Sequence, residues 1–151
     1  MTPKTIAIAV DHGGFSLKAD AIAAARDLGF EILDLGTDST DSVDYPDYAE
    51  KLVTALADGR ASRGILICGT GIGISIAANR HPEVRAALCC DDEMAMLARQ
   101  HNDANVICIG GRKTDAATAR SMVRTFLTTA FEGGRHARRV AKLGWAGCTE
   151  K

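Results

Sequence analysis

Short apolar runs alternate with longer stretches of helical periodicity along the whole of this 151-residue sequence. The runs predict five strands, at residues 5–10, 31–34, 64–68, 86–90 and 106–109. Each run is almost continuously apolar, as expected for a strand that is covered on both faces. Because strands and helices alternate, we predict an α/β protein with a parallel sheet.

The segments between these runs have the spacing of amphipathic helices. Leu17 and Ala21 belong to a stretch that ends at Gly29, and a second stretch ends at Gly59. Later helices are predicted over residues 72–79, 92–100 and 115–131, with a short basic helix after the glycine pair at 133–134. We therefore expect a single domain over residues 1–151, with a three-layer α/β/α Rossmann-like fold of about five strands. We expect a C-terminal helical extension after the sheet and a disordered tail from about residue 141.

The charge balance excludes several classes of partner. Eighteen basic side chains oppose nineteen acidic ones, so no broad positive field attracts nucleic acid or an anionic membrane. The longest uncharged stretch, between Arg63 and Arg80, is shorter than the ~20 residues of a membrane span and contains several glycines. The apolar run at residues 6–10 is too short for a secretory signal.

Five cysteines without a C-x-x-C pair indicate reduced thiols and no zinc site. We expect a cytoplasmic protein.

Two polar turns follow the first and third predicted strands. The first is Asp11-His12-Gly13-Gly14, and the second covers residues 68–73, CGTGIG. In open parallel sheets, ligands bind beyond the carboxyl ends of the strands, where the strand order reverses. In a 2-1-3 arrangement the first and third strands are neighbours at that point. We therefore predict a binding site at this edge.

The glycine-rich turn leads directly into a helix. Backbone N–H groups at a helix start can hold a phosphate or an oxyanion, and the residues alone leave both open. A dinucleotide fingerprint fails because Ile74 stands where its third glycine belongs, and there is no Walker G-K-[ST] ending. A C-x5-R phosphatase loop also fails at Ile74. NAD, ATP and phosphocysteine chemistry are therefore disfavoured, and we expect no cofactor.

Several side chains in or near these turns can do chemistry. A helix N-terminus favours the thiolate form of cysteine, so Cys68 is a candidate base or nucleophile. His12, beside Asp11, is a titratable group at a strand end. Arg112 follows the last strand and is a candidate for binding a phosphate or a sugar hydroxyl.

Other candidates lie far from this edge along the chain. His101 ends a helix that runs about ten residues, or roughly 15 Å, away from the edge, so only a second subunit would bring His101 to the site. Arg135 and Arg139 lie on one face of the basic helix, where they either grip one phosphate or form a solvated surface.

Five motifs, in this order along residues 6–140, resemble those of the ribose-5-phosphate isomerase B family. They are DHGG at 11–14, DYP at 44–46, ILICGTGIGISIAAN at 65–79, RQHND at 99–103 and EGGRH at 132–136. The resemblance implies a metal-free aldose–ketose isomerase with no cofactor, which interconverts ribose 5-phosphate and ribulose 5-phosphate through a cis-enediolate. The alternative within the family is another substrate, such as allose 6-phosphate, a four-carbon ketose phosphate or galactose 6-phosphate.

The resemblance also implies a role for each candidate residue. Cys68 is the general base, since the branch of the family that uses a glutamate has it where this chain has Ile74. His101 is the proton donor for ring opening. The residues expected to contact the sugar or its phosphate are Asp11, His12, Tyr45, Asn102, Arg112, Arg135 and Arg139.

The glycine-rich turn is then an oxyanion cradle rather than the phosphate site. Negative charge develops on a substrate oxygen when a proton beside a carbonyl is removed. The expected donors are the N–H groups of Gly69, Gly71, Ile72 and Gly73, with the Thr70 hydroxyl nearby. Because this chain has the base, the proton donor and both arginines of the expected phosphate site, Arg135 and Arg139, we expect a homodimer with a composite active site, or a homotetramer of such dimers.

Two other functions remain open from the residues alone. The first is hydrolysis or acyl transfer, with Cys68 as a covalent nucleophile and His12 or His101 as its partner. The second is a non-catalytic sensor of sugar phosphates on the same fold.

Overall fold

The structure, a computed structural model, describes residues 4–144. Five parallel strands form one sheet in the order β2-β1-β3-β5-β4. The strands are β1 (Thr5–Val10), β2 (Glu31–Asp34), β3 (Arg63–Cys68), β4 (Ala86–Leu88) and β5 (Val106–Gly110). The helices are α1 (Phe15–Asp27), α2 (Tyr45–Ala57), α3 (Ile72–Ala78), α4 (Asp92–Asn102), α5 (Ala116–Thr128) and α6 (Arg135–Leu143).

The three-layer α/β/α architecture is as predicted. Side chains on successive strand residues point to opposite faces of the sheet, so each strand contributes to two helix layers. In β1, Ile6 and Ile8 belong to one buried cluster with residues of α1, α4 and α5. Ala7 and Ala9 belong to a second cluster, with residues of α2 and α3. The core is almost entirely aliphatic, and Phe126 is its one fully buried aromatic side chain among the described residues.

Some predicted boundaries are wrong. Strand β4 ends at Leu88 instead of residue 90. Of the two cysteines that follow, which the predicted strand would have included, Cys89 is buried and Cys90 is exposed. Helix α5 ends at Thr128 rather than residue 131. Helix α6 continues to Leu143, so the chain is still helical where the tail was expected to begin; residues 145–151 of that tail lie outside the described residues.

The strand order locates the site edge. The chain passes from β2 at one side of β1 to β3 at the other, so the carboxyl ends of β1 and β3 flank the reversal of strand order. Strand β5 lies between β3 and β4, which brings the turn after β5 next to the turn after β3. Among the described helices, none is long and apolar enough to cross a membrane.

Candidate active site

The turns after β1, β3 and β5 touch one another, and glycines make this possible. A Cβ atom on Gly13 would lie 2.9 Å from the backbone nitrogen of Gly69, and one on Gly111 would lie 2.3 Å from the carbonyl oxygen of Gly13. The Gly111 N–H donates to the Cys68 carbonyl (2.7 Å), and the Arg112 N–H donates to the Gly69 carbonyl (2.9 Å). The predicted meeting of the turns after β1 and β3 is therefore observed, and the turn after β5 adds Arg112.

Asp11 holds its own turn in shape. Its Oδ1 accepts hydrogen bonds from the N–H groups of Gly13 (2.8 Å) and Gly14 (3.0 Å), and the residue is buried. A carboxylate that accepts two backbone N–H groups fixes the loop around it. Asp11 thus positions the residues on either side of it, including His12.

The hydrogen bond to His12 determines which nitrogen of the neutral ring carries the proton. Its Nδ1 accepts the N–H of Val43 (3.2 Å), which lies in the loop between β2 and α2. A nitrogen that accepts cannot carry the ring proton, so the proton is on Nε2. His12 therefore has an Nε2–H donor. The residue that fixes this tautomer, Val43, belongs to none of the sequence motifs.

Cys68 is buried at the carboxyl end of β3, and its Sγ accepts the Gly71 N–H (3.2 Å). This bond depends on the left-handed conformation of Gly71 (φ 79°), where a Cβ would also lie 2.5 Å from the Leu88 side chain. This backbone donor fixes the position of the sulfur at the edge where the turns meet. The turn therefore supports Cys68 as a base or a nucleophile.

The turn uses part of its donor capacity internally. The Gly71 N–H is bonded to Cys68, and the Ile72 N–H donates to the Thr70 Oγ1 (3.2 Å). An oxyanion at this turn would compete with these two bonds. The expected cradle of donors from residue 69 to residue 73 is thus partly occupied, a detail that the motif did not reveal.

Tyr45 and Arg112 border the same turn. A Cβ on Gly73 would lie 2.6 Å from the Cζ atom of Tyr45, and one on Gly69 would lie 2.9 Å from the Nη1 atom of Arg112. Glycine at these two positions makes room for the ring and the guanidinium. The structure therefore brings together one group of predicted residues, which we call the turn group: Asp11, His12, Tyr45, Cys68, Gly69, Thr70, Gly71, Ile72, Gly73 and Arg112.

The remaining predicted residues form a second group at α4 and α6, away from the turn group. Helix α4 starts after Asp91, just beyond the carboxyl end of β4, and runs back to His101 and Asn102. Asn102 lines a cavity of about 610 Å³ with Ala86 at the start of β4, which confirms that this helix end lies at the opposite edge of the sheet. Arg135 and Arg139 are exposed on α6, which packs on α4. The chain alone does not unite the two groups.

Two further residues belong to this second group, and the sequence reasoning assigned neither a role. His136 is buried and its ring stacks on that of His101, with centroids 4.2 Å apart and planes 11° from parallel. Glu132 Oε1 lies 3.8 Å from the Nε2 of His101 and 3.7 Å from the Nε2 of His136. The available signal was the EGGRH motif, whose glutamate and histidine are four residues apart in the sequence. The arginines of this segment drew attention instead, either as a phosphate grip or as a solvated surface.

Burial lowers the pKa of His136, and the nearby charges of His101, Arg135 and Arg139 lower it further, while Glu132 acts in the opposite direction. The His136 ring therefore favours its neutral form. The potential ligand atoms of His101, Glu132 and His136 lie within 4.8 Å of one another, close enough to be considered for a metal. However, parallel stacked rings aim their nitrogen lone pairs side by side rather than at one point, and two arginines adjoin the cluster. The geometry fits proton sharing better than metal coordination.

The chain is similar to known proteins over most of its length. The family model described as Ribose/Galactose Isomerase matches residues 6–143. The ribose-5-phosphate isomerase B of Escherichia coli is 46% identical over 140 residues, which cover 93% of this chain and 94% of that protein.

Solved structures are equally similar. A ribose 5-phosphate isomerase from Thermotoga maritima superposes with a TM-score of 0.89 at 51% identity, over 93% of this chain and 97% of the other. The type B ribose 5-phosphate isomerase of Trypanosoma brucei gives a TM-score of 0.92 at 47% identity, over 97% and 99%. The resemblance inferred from the motifs is therefore confirmed, and the chain belongs to the Ribose/Galactose Isomerase family.

Proposed function

We propose that this protein is an aldose–ketose isomerase that interconverts ribose 5-phosphate and ribulose 5-phosphate without a metal. The observation that carries the proposal is the Cys68 thiol, held by the Gly71 N–H where three loops meet. The names of similar proteins from Escherichia coli and Thermotoga maritima support the choice of substrate.

In the proposed reaction the Cys68 thiolate removes the proton from C2 of the open-chain aldose. The C–H electron pair becomes the C1=C2 bond, and the carbonyl electrons move onto O1, which gives an enediolate. The proton then returns to C1 and the O2 hydroxyl proton passes to O1, which leaves a ketone at C2. No electrons are gained or lost, so the reaction requires no redox cofactor.

Stabilisation of the enediolate comes from groups around the turn. The Arg112 guanidinium lies against Gly69 and supplies a positive charge there. The N–H groups of Gly69 and Gly73 and the Thr70 hydroxyl are the remaining donors in this assignment. Because the Gly71 N–H is bonded to the Cys68 sulfur, its role is to hold the base rather than the oxyanion.

We assign the phosphate to the His12 Nε2–H and to Arg135 and Arg139, and ring opening to His101 with Asn102 beside the sugar. Since the turn group and the second group lie apart in one chain, we propose a homodimer in which each active site combines the two groups. Exposed apolar side chains support such an interface, because Ile72 is 52% and Ile76 58% exposed on α3, next to Cys68. A homotetramer would contain two such dimers.

The four described cysteines, Cys68, Cys89, Cys90 and Cys108, are all free thiols. Free thiols persist in reducing compartments. This supports a cytoplasmic location for the enzyme.

The test is conversion of ribose 5-phosphate to the ketose in the presence of EDTA, with allose 6-phosphate and erythrose 4-phosphate as comparison substrates. We expect Cys68→Ala to lower kcat by about 10²–10⁴-fold, whereas Cys90→Ala, which removes an exposed thiol, leaves kcat unchanged. Arg139→Ala should mainly raise KM. Full kcat in Cys68→Ala would refute the assignment of the base, and a preference for another sugar phosphate would refute the assignment of the substrate.

The same variants separate a base from a nucleophile. A base never forms a covalent bond to substrate, so intact mass after rapid quenching should show no adduct. A substrate-sized mass increase in the wild type that Cys68→Ala lacks would instead indicate covalent catalysis.

A further inference from the structure

We propose that Glu132 and His136 are positioning residues that hold His101 as the proton donor for ring opening. This inference rests on the proposed isomerase function. It assigns a role to the two members of the second group that contact His101 directly.

The ring of His101 is held by a neighbour that is itself fixed. His136 is only 6% exposed, and its backbone N–H donates to the Gly133 carbonyl (3.0 Å) at the start of α6. The two imidazoles stack with centroids 4.2 Å apart. Since His136 cannot turn without leaving its buried position, it restricts the orientation of the more exposed His101 ring.

Glu132 is anchored to the same helix end. Its backbone N–H donates to the carbonyl of Gln100 (3.1 Å), the residue before His101. Its Oε1 lies at nearly equal distances, 3.8 and 3.7 Å, from the Nε2 atoms of His101 and His136. One carboxylate therefore faces both rings, and it attracts a proton to whichever ring can carry one.

The surroundings direct that proton to His101. The charged groups that face His136 are Arg135 and Arg139 on α6, Glu132 in the preceding loop and His101 on α4. Burial and the two arginines disfavour a proton on His136, whose Nε2 has no hydrogen-bond partner among residues 4–144. The His101 side chain is 39% exposed, so of the two rings it is the one that a substrate can reach. The Glu132 carboxylate therefore acts on the accessible ring.

The chemistry supplies a test that isolates ring opening. In furanose ribose 5-phosphate, the bond from C1 to the ring oxygen breaks, the ring oxygen takes a proton from His101, and the C1 hydroxyl loses its proton to water. Ribulose 5-phosphate cannot close a furanose ring, because its 5-hydroxyl is esterified. Removal of its C1 proton therefore needs the base but no ring opening.

Two rates are compared in each variant. The first is the forward turnover of ribose 5-phosphate, and the second is the exchange of the C1 proton of ribulose 5-phosphate in D₂O, followed by NMR. The variants are Glu132→Gln, Glu132→Asp, His136→Phe and His136→Ala. The control is Glu50→Gln, because Glu50 is a similarly exposed glutamate (57%, against 50% for Glu132) whose Oε1 lies 2.7 Å from the Nε2 of His81.

We expect Glu132→Gln to lower forward kcat by about tenfold, a part of the ~10²–10⁴-fold supplied by a general acid, while C1 exchange stays near the wild-type rate. The alkaline limb of the forward pH profile should move to lower pH. Glu132→Asp should restore part of the loss, and His136→Phe, which keeps a stacked ring, should retain more forward activity than His136→Ala. Glu50→Gln should change neither rate.

Equal loss of both rates in Glu132→Gln, or loss of neither, would overturn the inference. Glu132 is half-exposed, so this variant remains informative if a substitution of the buried His136 prevents folding. If the wild type neither isomerises ribose 5-phosphate nor exchanges the C1 proton, the proposed function fails and the inference fails with it. If the wild type does both and Glu132→Gln matches it in both rates, the inference alone fails.

Discussion

Gly111→Ala should disrupt the contact on which the turn group depends. The added Cβ would lie 2.3 Å from the Gly13 carbonyl oxygen and 2.9 Å from the Gly14 Cα. Both atoms belong to the backbone and cannot rotate away, so the turn after β1 must move by about 1 Å to reach ordinary contact distance. Overpacking of this kind costs about 3 kcal/mol, the upper part of its usual range. For a chain of this length that lowers Tm by about 6–12 °C.

The loss of kcat/KM should be larger than destabilisation of the fold alone would cause. The displaced turn carries Asp11 and His12, and a misplacement of about 1 Å near reacting groups can cost about 10²-fold in rate. Tm is measured by circular dichroism and kcat/KM with ribose 5-phosphate. Gly29→Ala is the matched control, because a Cβ there meets no atom of the described residues within 4 Å. Its left-handed backbone (φ 89°) makes alanine cost about 1–2 kcal/mol of stability, but kcat/KM should stay at the wild-type value. A Gly111→Ala protein with wild-type Tm and activity would refute the reasoning.

Two further predictions concern buried groups outside the site. Burial, with the charges of Cys90 and Asp91, raises the pKa of Cys89 to about 12. Iodoacetamide at pH 8 should therefore label the exposed Cys90 and spare Cys89. Equal labelling of the two cysteines, measured by peptide mass spectrometry, would contradict this. Burial lowers the pKa of Lys18, but Asp34 and Asp38 outweigh it and the pKa is raised overall. Lys18→Met should therefore destabilise the protein in urea melts at pH 8. The difference should shrink as the pH rises from 10.5, the ordinary pKa of lysine in the unfolded chain, through the higher pKa of Lys18 in the folded protein. A constant difference would argue against the ion pairs.

Much of the candidate site could be predicted because its signals are local. A strand followed by a polar turn and a helix appears in a few consecutive residues, as at Asp11 and Cys68. The distance of His101 from the turns followed from the length of α4 alone. The burial of His136 could not be predicted in this way, since its neighbours on α6 are exposed arginines and only the packing of α6 on α4 covers it.

By itself the sequence determined the layers, the five strands and the edge at which the site lies, because periodic burial and glycine-rich turns are properties of adjacent residues. Only the tertiary structure decided that β5 lies beside β3, which brings Arg112 against Gly69. It also decided that the Gly71 N–H is bonded to the Cys68 sulfur and that Glu132 faces two stacked histidines. These contacts depend on how separate elements pack, and the energy of that packing is shared among residues that are distant in the chain.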